Sequence, residues 1–175
     1  MSTKELYRRI QRFYSFQPKM TSRFHLLMHT ISDEENCALE VQTLLKNKAD
    51  KSVSDIFQSL SNCNFTLSED FILNVLKRHR SDWKPAFIFF KWILAGENPC
   101  RYSPKTESFN EILDILGRMK HFDELNKVLD EMSKRGNFVN EKTYGIVINR
   151  YAAAQRVEDA EEFFYKRKIL VWNLI

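Results

Sequence analysis

The chain carries an internal repeat with an offset of 35 residues. When residues 106–140 are aligned with residues 141–175, apolar positions in the first stretch meet apolar positions in the second. The matched pairs are Phe109/Tyr144, Ile112/Val147, Leu113/Ile148, Leu116/Tyr151, Phe122/Val157, Leu125/Ala160, Val128/Phe163 and Leu129/Phe164. A period between about 20 and 50 residues is typical of repeat arrays, whose units bury their apolar faces by stacking on their neighbours. The offset therefore predicts a stacked array.

The apolar residues of the first repeat follow helical spacing. Its first four stand at i, i+3, i+4 and i+7: Phe109, Ile112, Leu113 and Leu116. This spacing places them on one face of a helix. A polar turn follows, and a second stripe runs from Phe122 to Met132. Gly136 comes after two cationic residues, as at many helix C-termini. Each repeat is therefore predicted to be two antiparallel helices joined by a short turn.

The composition agrees with an all-α chain. It has 4 Gly and 4 Pro in 175 residues, which leaves little material for strands and tight turns. Hydrophobic residues make up 43% and charged residues 29%, an ordinary balance for a folded chain. No apolar run approaches the 18 or so residues of a membrane-spanning helix. We expect helical hairpins stacked as a short right-handed α-solenoid, with no membrane span.

Positive charge is concentrated in residues 1–31. This segment holds six Lys/Arg and one acid, Glu5, for a net charge of +5; since the whole chain is +4, residues 32–175 carry −1. Together with an amphipathic apolar stripe and few acids, the segment is typical of a mitochondrial targeting sequence, or alternatively a chloroplast one. The other interpretation is a basic first helix of the folded domain. The net charge of the remaining chain gives no electrostatic argument for nucleic-acid binding.

The segment 32–105 is predicted to form degenerate helical repeats. Ser32 and Glu35 have the spacing of a capping box, which predicts the start of a helix and of the folded domain. Further on, a helix that begins near Pro85 is apolar nearly all round. Its aromatic residues are predicted to be buried core rather than base-stacking groups.

Residues 106–140 closely resemble a pentatricopeptide repeat. The resemblance rests on the pair Phe109-Asn110 in the first helix, Asp-Glu-Leu at the start of the second helix and Asp-Glu-Met-Ser-Lys-Arg-Gly at 130–136. Upstream, 83–92 is similar to the lead-in segment of such arrays in plant organellar proteins. The predicted organisation is therefore a targeting segment 1–31, degenerate repeats with this lead-in 32–105, a repeat 106–140 and a second repeat 141–175 with an aberrant end.

The resemblance implies recognition of single-stranded organellar RNA, one base per repeat. The family's base-reading positions hold Asn110 and Asn140 in the first repeat, a pairing similar to ones that favour a pyrimidine. The alternative interpretations are a solvent-facing helix residue for Asn110 and a turn residue for Asn140. Arg118 occupies a position where the family often presents a cation to the RNA backbone. In the second repeat the reading positions hold Gly145 and Ile175, which should read nothing.

The position that usually sandwiches the base holds Glu107 in the first repeat and Lys142 in the second. The charge of Glu107 would repel phosphate, and a single reading repeat supplies only about 2–4 kcal/mol, which corresponds to millimolar binding or weaker. What the resemblance implies as function is post-transcriptional RNA processing or stability. A protein-binding α-solenoid adaptor, or a truncated variant with little RNA affinity, is the alternative.

No catalytic or metal-binding pattern stands out. The chain has no Gly-rich phosphate loop, no zinc-protease motif and no nucleophile elbow, so we expect no enzymatic activity and no cofactor. His25 and His29 are four residues apart but lack a third ligand nearby.

The end of the second repeat departs from the pattern. Val171 stands where Gly136 stood, and an apolar tail follows. We expect a product truncated after about two repeats, with protein partners binding through the apolar C-terminal end.

Overall fold

In the computed structural model of the chain, the described backbone comprises residues 21–48, 50–96, 102–135 and 139–172, with side chains described from residue 33 to residue 165 within these ranges. These residues contain helices and no strand. The helices are α1 Thr21–Asn47, α2 Val53–Ser61, α3 Glu69–Arg78, α4 Trp83–Leu94, α5 Thr106–Arg118, α6 Phe122–Lys134, α7 Glu141–Ala153 and α8 Val157–Trp172. The predicted all-α class is confirmed.

The two clear repeats are helical hairpins that stack on each other. α5 packs against α6, and α7 packs against α8, so each repeat is a pair of neighbouring helices. α5 also packs against α7 and, on another side, against α3 and α4. The first helix of the first repeat is therefore the central element of the stack. This arrangement confirms the predicted α-solenoid of helical hairpins.

The core follows the predicted apolar stripes. The four stripe residues of α5 are fully buried, and the ring of Phe109 packs edge-on against Phe90 of α4 with 5.1 Å between ring centroids. In α4 the side chains of Phe89, Phe90 and Trp92 are also fully buried. The aromatic cluster of α4 is thus core, as its spacing predicts. Burial of these large rings supplies much of the free energy that holds the hairpins together.

The turns of the two hairpins repeat with the same period as the sequence. Lys120 and Gln155, which are 35 residues apart, both have φ near 61°. In each turn the next residue donates its backbone N–H to a carbonyl five residues earlier: His121 to Leu116 at 2.9 Å, and Arg156 to Tyr151 at 3.0 Å. Neither left-handed residue is a glycine, so both turns accept the steric cost of a Cβ at positive φ. The internal repeat therefore extends to the backbone.

The prediction that a helix starts at Ser32 is wrong. α1 runs without interruption from Thr21 to Asn47, so Ser32 and Glu35 lie inside a helix. A capping box acts only where the first residue leaves helical geometry, and here the preceding residues continue the helix. The chain divides into two units after Cys37, and α1 begins in the first and ends in the second.

The predicted targeting segment lies largely outside the described residues, which begin at 21. Among the described residues, no helix has both the length and the apolar character needed to cross a membrane.

Candidate nucleic-acid interface

Asn140 is the N-cap of α7. Its Oδ1 accepts the backbone N–H of Thr143 at 2.9 Å, and its own backbone N–H donates to the Thr143 hydroxyl at 3.3 Å. The two residues therefore form a reciprocal capping box that satisfies N–H groups left open at the helix start. The side chain of Asn140 remains exposed. Asn140 thus has an extended backbone and caps α7 with its side chain at an exposed position of the junction between the repeats.

Asn110 lies across the junction from Asn140 and contacts the same threonine. The Thr143 hydroxyl donates to Oδ1 of Asn110 at 2.7 Å and lies 3.0 Å from Oδ1 of Asn140. Asn110 is only 2% exposed, so it is not the solvent-facing helix residue of the alternative interpretation. The stacking of α5 on α7 brings the two predicted reading residues together on one hydroxyl. Because Thr143 engages both carbonyl oxygens, the amide nitrogens are the groups that could still donate to a ligand.

Arg118 is held by a carboxylate one turn earlier in α5. Its Nη2 donates to Oδ2 of Asp114, and the same aspartate binds Arg150 of α7. Nε of Arg150 donates to Oδ1 of Asp114 at 2.9 Å, and its Nη2 donates to the same oxygen. Arg118 is therefore part of an ion cluster that joins the two repeats. Sequence reasoning missed Asp114 and Arg150, because their contact spans 36 residues.

Gly117 makes room for Arg150. A Cβ atom at position 117 would lie 2.6 Å from both Cβ and Cγ of Arg150 and 3.2 Å from Leu125. Real Cβ atoms do not approach carbon this closely, and the Cβ of Arg150 is fixed by its own backbone. The absence of a side chain at 117 therefore lets α7 approach α5 and carries Arg150 to Asp114.

The junction between α3 and α5 is closed by Glu69. Its carboxylate accepts four hydrogen bonds: from the Tyr102 hydroxyl at 3.0 Å, the Lys105 N–H at 3.0 Å, the Ser108 N–H at 2.9 Å and the Ser108 hydroxyl at 2.7 Å. Burial, and then the hydrogen bond to Glu69, raise the pKa of Tyr102 to about 12. Glu69 thereby supplies from another helix the cap that Lys105, the N-cap residue of α5, does not provide. Ser108 has a counterpart in Thr143, 35 residues later, and both residues carry a hydroxyl.

The other positions that the family pattern singles out are Glu107, Lys142, Gly145 and Ile175. Glu107 and Lys142 are both exposed near the starts of α5 and α7. Gly145 has open space around its Cβ direction, with no atom within 4 Å. Ile175 lies outside the described residues. Within the ranges that are described, no group of three or more His, Cys, Asp or Glu side chains could hold a metal ion.

The fold and the junction geometry define a stacked helical-hairpin repeat protein. A model of the pentatricopeptide repeat (PPR) family matches residues 104–153, and a model of the single PPR repeat matches residues 142–166. The chain belongs to the pentatricopeptide repeat family.

Curated relatives carry the same repeat in their names. A pentatricopeptide repeat-containing protein of Arabidopsis thaliana is 38% identical over 163 residues, which cover 84% of this chain and 31% of that protein. A mitochondrial pentatricopeptide repeat-containing protein of the same plant is 29% identical over 120 residues, which cover 67% of this chain and 21% of that protein. A second mitochondrial protein of this kind is 32% identical over 115 residues, which cover 65% of this chain and 20% of that protein. The chain thus spans about a fifth to a third of the length of these relatives. No solved structure matches it significantly.

Proposed function

We propose that the chain binds single-stranded organellar RNA and acts in post-transcriptional RNA processing or stability, without catalysing a reaction itself. Family membership supports RNA as the ligand. The observation that carries the proposal for these residues is the meeting of Asn110 and Asn140 at the Thr143 hydroxyl, between two stacked first helices. Two amides at one junction are suited to a single base, in keeping with recognition of one base per repeat.

The hydrogen bonds at the junction indicate which groups could contact a base. With both carbonyl oxygens engaged by Thr143, N–H donors remain on the exposed Asn140, whereas the amide of Asn110, which is 2% exposed, can donate to a base only once the base has entered the junction. Every base presents such acceptors, among them the O2 atom of either pyrimidine, so the pyrimidine preference rests on the family pattern. The exposed carboxylate of Glu107 works against binding, because it repels phosphate.

Weak binding is expected, so the test must detect it. One reading repeat supplies about 2–4 kcal/mol, which corresponds to millimolar affinity or weaker. We would titrate the chain with four RNA oligomers that differ at one position and follow backbone amide resonances by NMR. Asn110→Ala should remove the preference among the four oligomers. Asp130→Ala, at an exposed position of the second helix α6, should leave the ranking unchanged.

The outcome against the proposal is equally concrete. If Asn110→Ala leaves the ranking of the four oligomers as it was, Asn110 serves only the packing of the junction. If the wild-type chain binds no RNA but captures matched peptides added as a control, the alternative of a protein-binding solenoid is favoured.

We propose a mitochondrial location, with the chloroplast as the alternative. The net charge of +5 in residues 1–31 and the mitochondrial names of two relatives support it. Residues 1–31 fused to a fluorescent reporter should direct it to mitochondria, whereas a variant with Arg8, Arg9 and Arg12 replaced by Gln should stay in the cytosol. A wild-type fusion that remains cytosolic would favour a basic first helix of the folded domain.

A further inference from the structure

Two arginines from successive first helices share one carboxylate. Arg118 of α5 and Arg150 of α7 both bind Asp114, and their side chains are 32% and 30% exposed. Asp114 itself is 18% exposed. The cluster thus has two positive charges and one negative charge in a partly buried place. An unbalanced cation pair of this kind attracts a further anion more strongly than a fully exposed lysine would, because water screens it less.

The hydrogen bonds of the cluster leave many donors unused. Two guanidinium groups offer ten N–H donors. Within the described residues they make three hydrogen bonds, all to Asp114. Nε of Arg118 is buried and has no hydrogen-bond partner in the described part of the chain. Because guanidinium groups match the geometry of phosphate oxygens, the N–H groups on the exposed part of each guanidinium are suited to a phosphodiester, whereas the buried Nε of Arg118 is out of its reach.

The cluster lies on the same helix face as the reading amide. Asn110, Asp114 and Arg118 stand at i, i+4 and i+8 of α5, and residues four apart lie one above the other. Asp114 is therefore about 6 Å along the helix axis from Asn110. Asn110 and Asp114 also both contact α7, through Thr143 and Arg150 respectively. A ligand that reaches the amides at this junction can therefore extend to both arginines.

We propose that Arg150 and Arg118 together form a phosphodiester-binding site, which contacts the RNA backbone regardless of sequence. This inference rests on the proposed RNA binding and adds to it a residue from the following repeat. Gly117 enables the site, since a side chain there would displace Arg150. The backbone contact is thus shared by two repeats, although the base is read by residues of one.

The test compares RNA with an oligomer that has the same ribose–phosphate backbone but no bases. Both are titrated into the full chain at about 50 and 200 mM salt, because removal of one phosphate-binding cation should reduce the salt slope by about 0.7. The variant Arg150→Gln removes the charge, and Arg150→Lys keeps it. Lys127→Gln is the matched control, since Lys127 is an exposed cation on the second helix α6. The Nε–H resonances of the arginines report binding of the phosphate directly.

Arg150→Gln is expected to weaken binding of both oligomers by the same factor, about three- to tenfold at the lower salt, and to reduce the salt slope. Arg150→Lys should keep the slope, and Lys127→Gln should change binding less than about twofold. The proposal is overturned if Arg150→Gln behaves like Lys127→Gln, or if the Arg150 Nε–H resonance does not move on titration.

The two proposals fail in different ways. If RNA and the abasic oligomer bind with equal affinity, the base-reading proposal is wrong and the phosphate-site proposal stands. If RNA binds better than the abasic oligomer and Arg150→Gln changes neither the affinity nor the salt slope, the phosphate-site proposal is wrong and the base-reading proposal stands. Absence of binding to either oligomer at the lower salt overturns both.

Discussion

Ser108 and Thr143 make the same hydrogen bond at successive junctions of the stack. Each is the third residue of its helix, and each hydroxyl donates at 2.7 Å to a side-chain oxygen of the preceding first helix, Glu69 for Ser108 and Asn110 for Thr143. The acceptor differs in kind, because one is a carboxylate and the other an amide. At the α3–α5 junction the acceptor is therefore the Glu69 carboxylate, which already accepts four hydrogen bonds, whereas at the α5–α7 junction the asparagine amides also carry N–H donors.

Thr143→Val should destabilise the chain by about 1–3 kcal/mol. The substitution preserves shape but removes the hydroxyl, so the buried oxygen of Asn110 loses its partner and the capping box of α7 is broken. Urea denaturation measures the change in the free energy of unfolding. Thr66→Val is the control, because Thr66 is exposed outside the helices and its change should stay within about 0.5 kcal/mol. Equal effects of the two variants would contradict the structural importance of the Thr143 hydroxyl.

Glu69→Gln should cost about 2 kcal/mol, since hydrogen bonds to a charged group are stronger than those to a neutral one. The side-chain amide nitrogen of glutamine would also face N–H and O–H groups, from which it cannot accept hydrogen bonds. Asp70→Asn removes the same charge from the adjacent, exposed position and should cost about 0.5 kcal/mol or less. Thermal and urea unfolding of both variants distinguish the loss of the hydrogen bonds to Glu69 from the loss of one negative charge at the start of α3. A cost for Asp70→Asn as large as that for Glu69→Gln would assign the effect to charge alone.

Two helical glycines should respond to alanine in opposite directions. Alanine in a helix interior is ordinarily favoured over glycine by about 1 kcal/mol. At Gly145 the added Cβ would meet no atom within 4 Å beyond its chain neighbours and its own helix backbone, so Gly145→Ala should stabilise the chain. At Gly117 the added Cβ would overlap the Cβ of Arg150, so Gly117→Ala should destabilise by about 1–3 kcal/mol despite the better helix propensity. Unfolding midpoints that shift the same way in both variants would show that α7 can move away from α5 at little cost.

His79 should make the fold sensitive to mild acid. Its side chain is 1% exposed, and neither ring nitrogen has a hydrogen-bond partner among the described residues. Burial lowers its pKa from 6.5 to about 4, with Lys46 acting in the same direction and Asp82 against it. The unfolded chain therefore takes up a proton near pH 6.5 that the folded chain refuses. The contribution of neutral His79 to the free energy of unfolding is therefore fully present above this pH and is lost as the pH falls toward 4.

Between pH 7 and pH 5 the loss due to His79 should be about 2 kcal/mol. The free energy of unfolding at the two pH values measures it, with His79→Leu as the comparison. The leucine variant should keep the pH dependence of stability that comes from other groups and lose the part that comes from His79. If wild type and variant lose the same free energy, His79 does not remain neutral in the folded chain.

The elements that depend on local spacing were predictable from the sequence. The apolar stripe of α5 and the hairpin of each clear repeat follow from the spacing and the 35-residue period, whereas the pairing of Asn110 with Asn140 follows from the resemblance to the pentatricopeptide repeat. Burial in the second repeat was less predictable, because an apolar stripe needs a packed neighbour as well as a pattern. Phe164, the equivalent of the buried Leu129, is 51% exposed, and Val157, the equivalent of Phe122, is exposed too.

The hydrogen bonds and ion pairs across the junctions could not be read from the sequence. Glu69 reaches Ser108 over 39 residues, and Asp114 reaches Arg150 over 36. Such pairs depend on how closely two helices approach, which Gly117 determines at one junction. Arg118 was predicted only as a cation for the RNA backbone, although its partner Asp114 stands four residues earlier on the same helix, a spacing at which charged pairs form. At Ser32 the error was of another kind, since a capping motif gives no information about whether the helix has already begun.

At both described junctions the acceptor comes from the earlier helix and the donor from the later one. Synthesis proceeds from the N-terminus, so Glu69 has left the ribosome before Ser108, and Asn110 before Thr143. Each new first helix can therefore dock its hydroxyl on a partner that already exists, without waiting for residues still to be made. Because each new first helix docks on a hairpin that has already been synthesised, the array can fold unit by unit during translation.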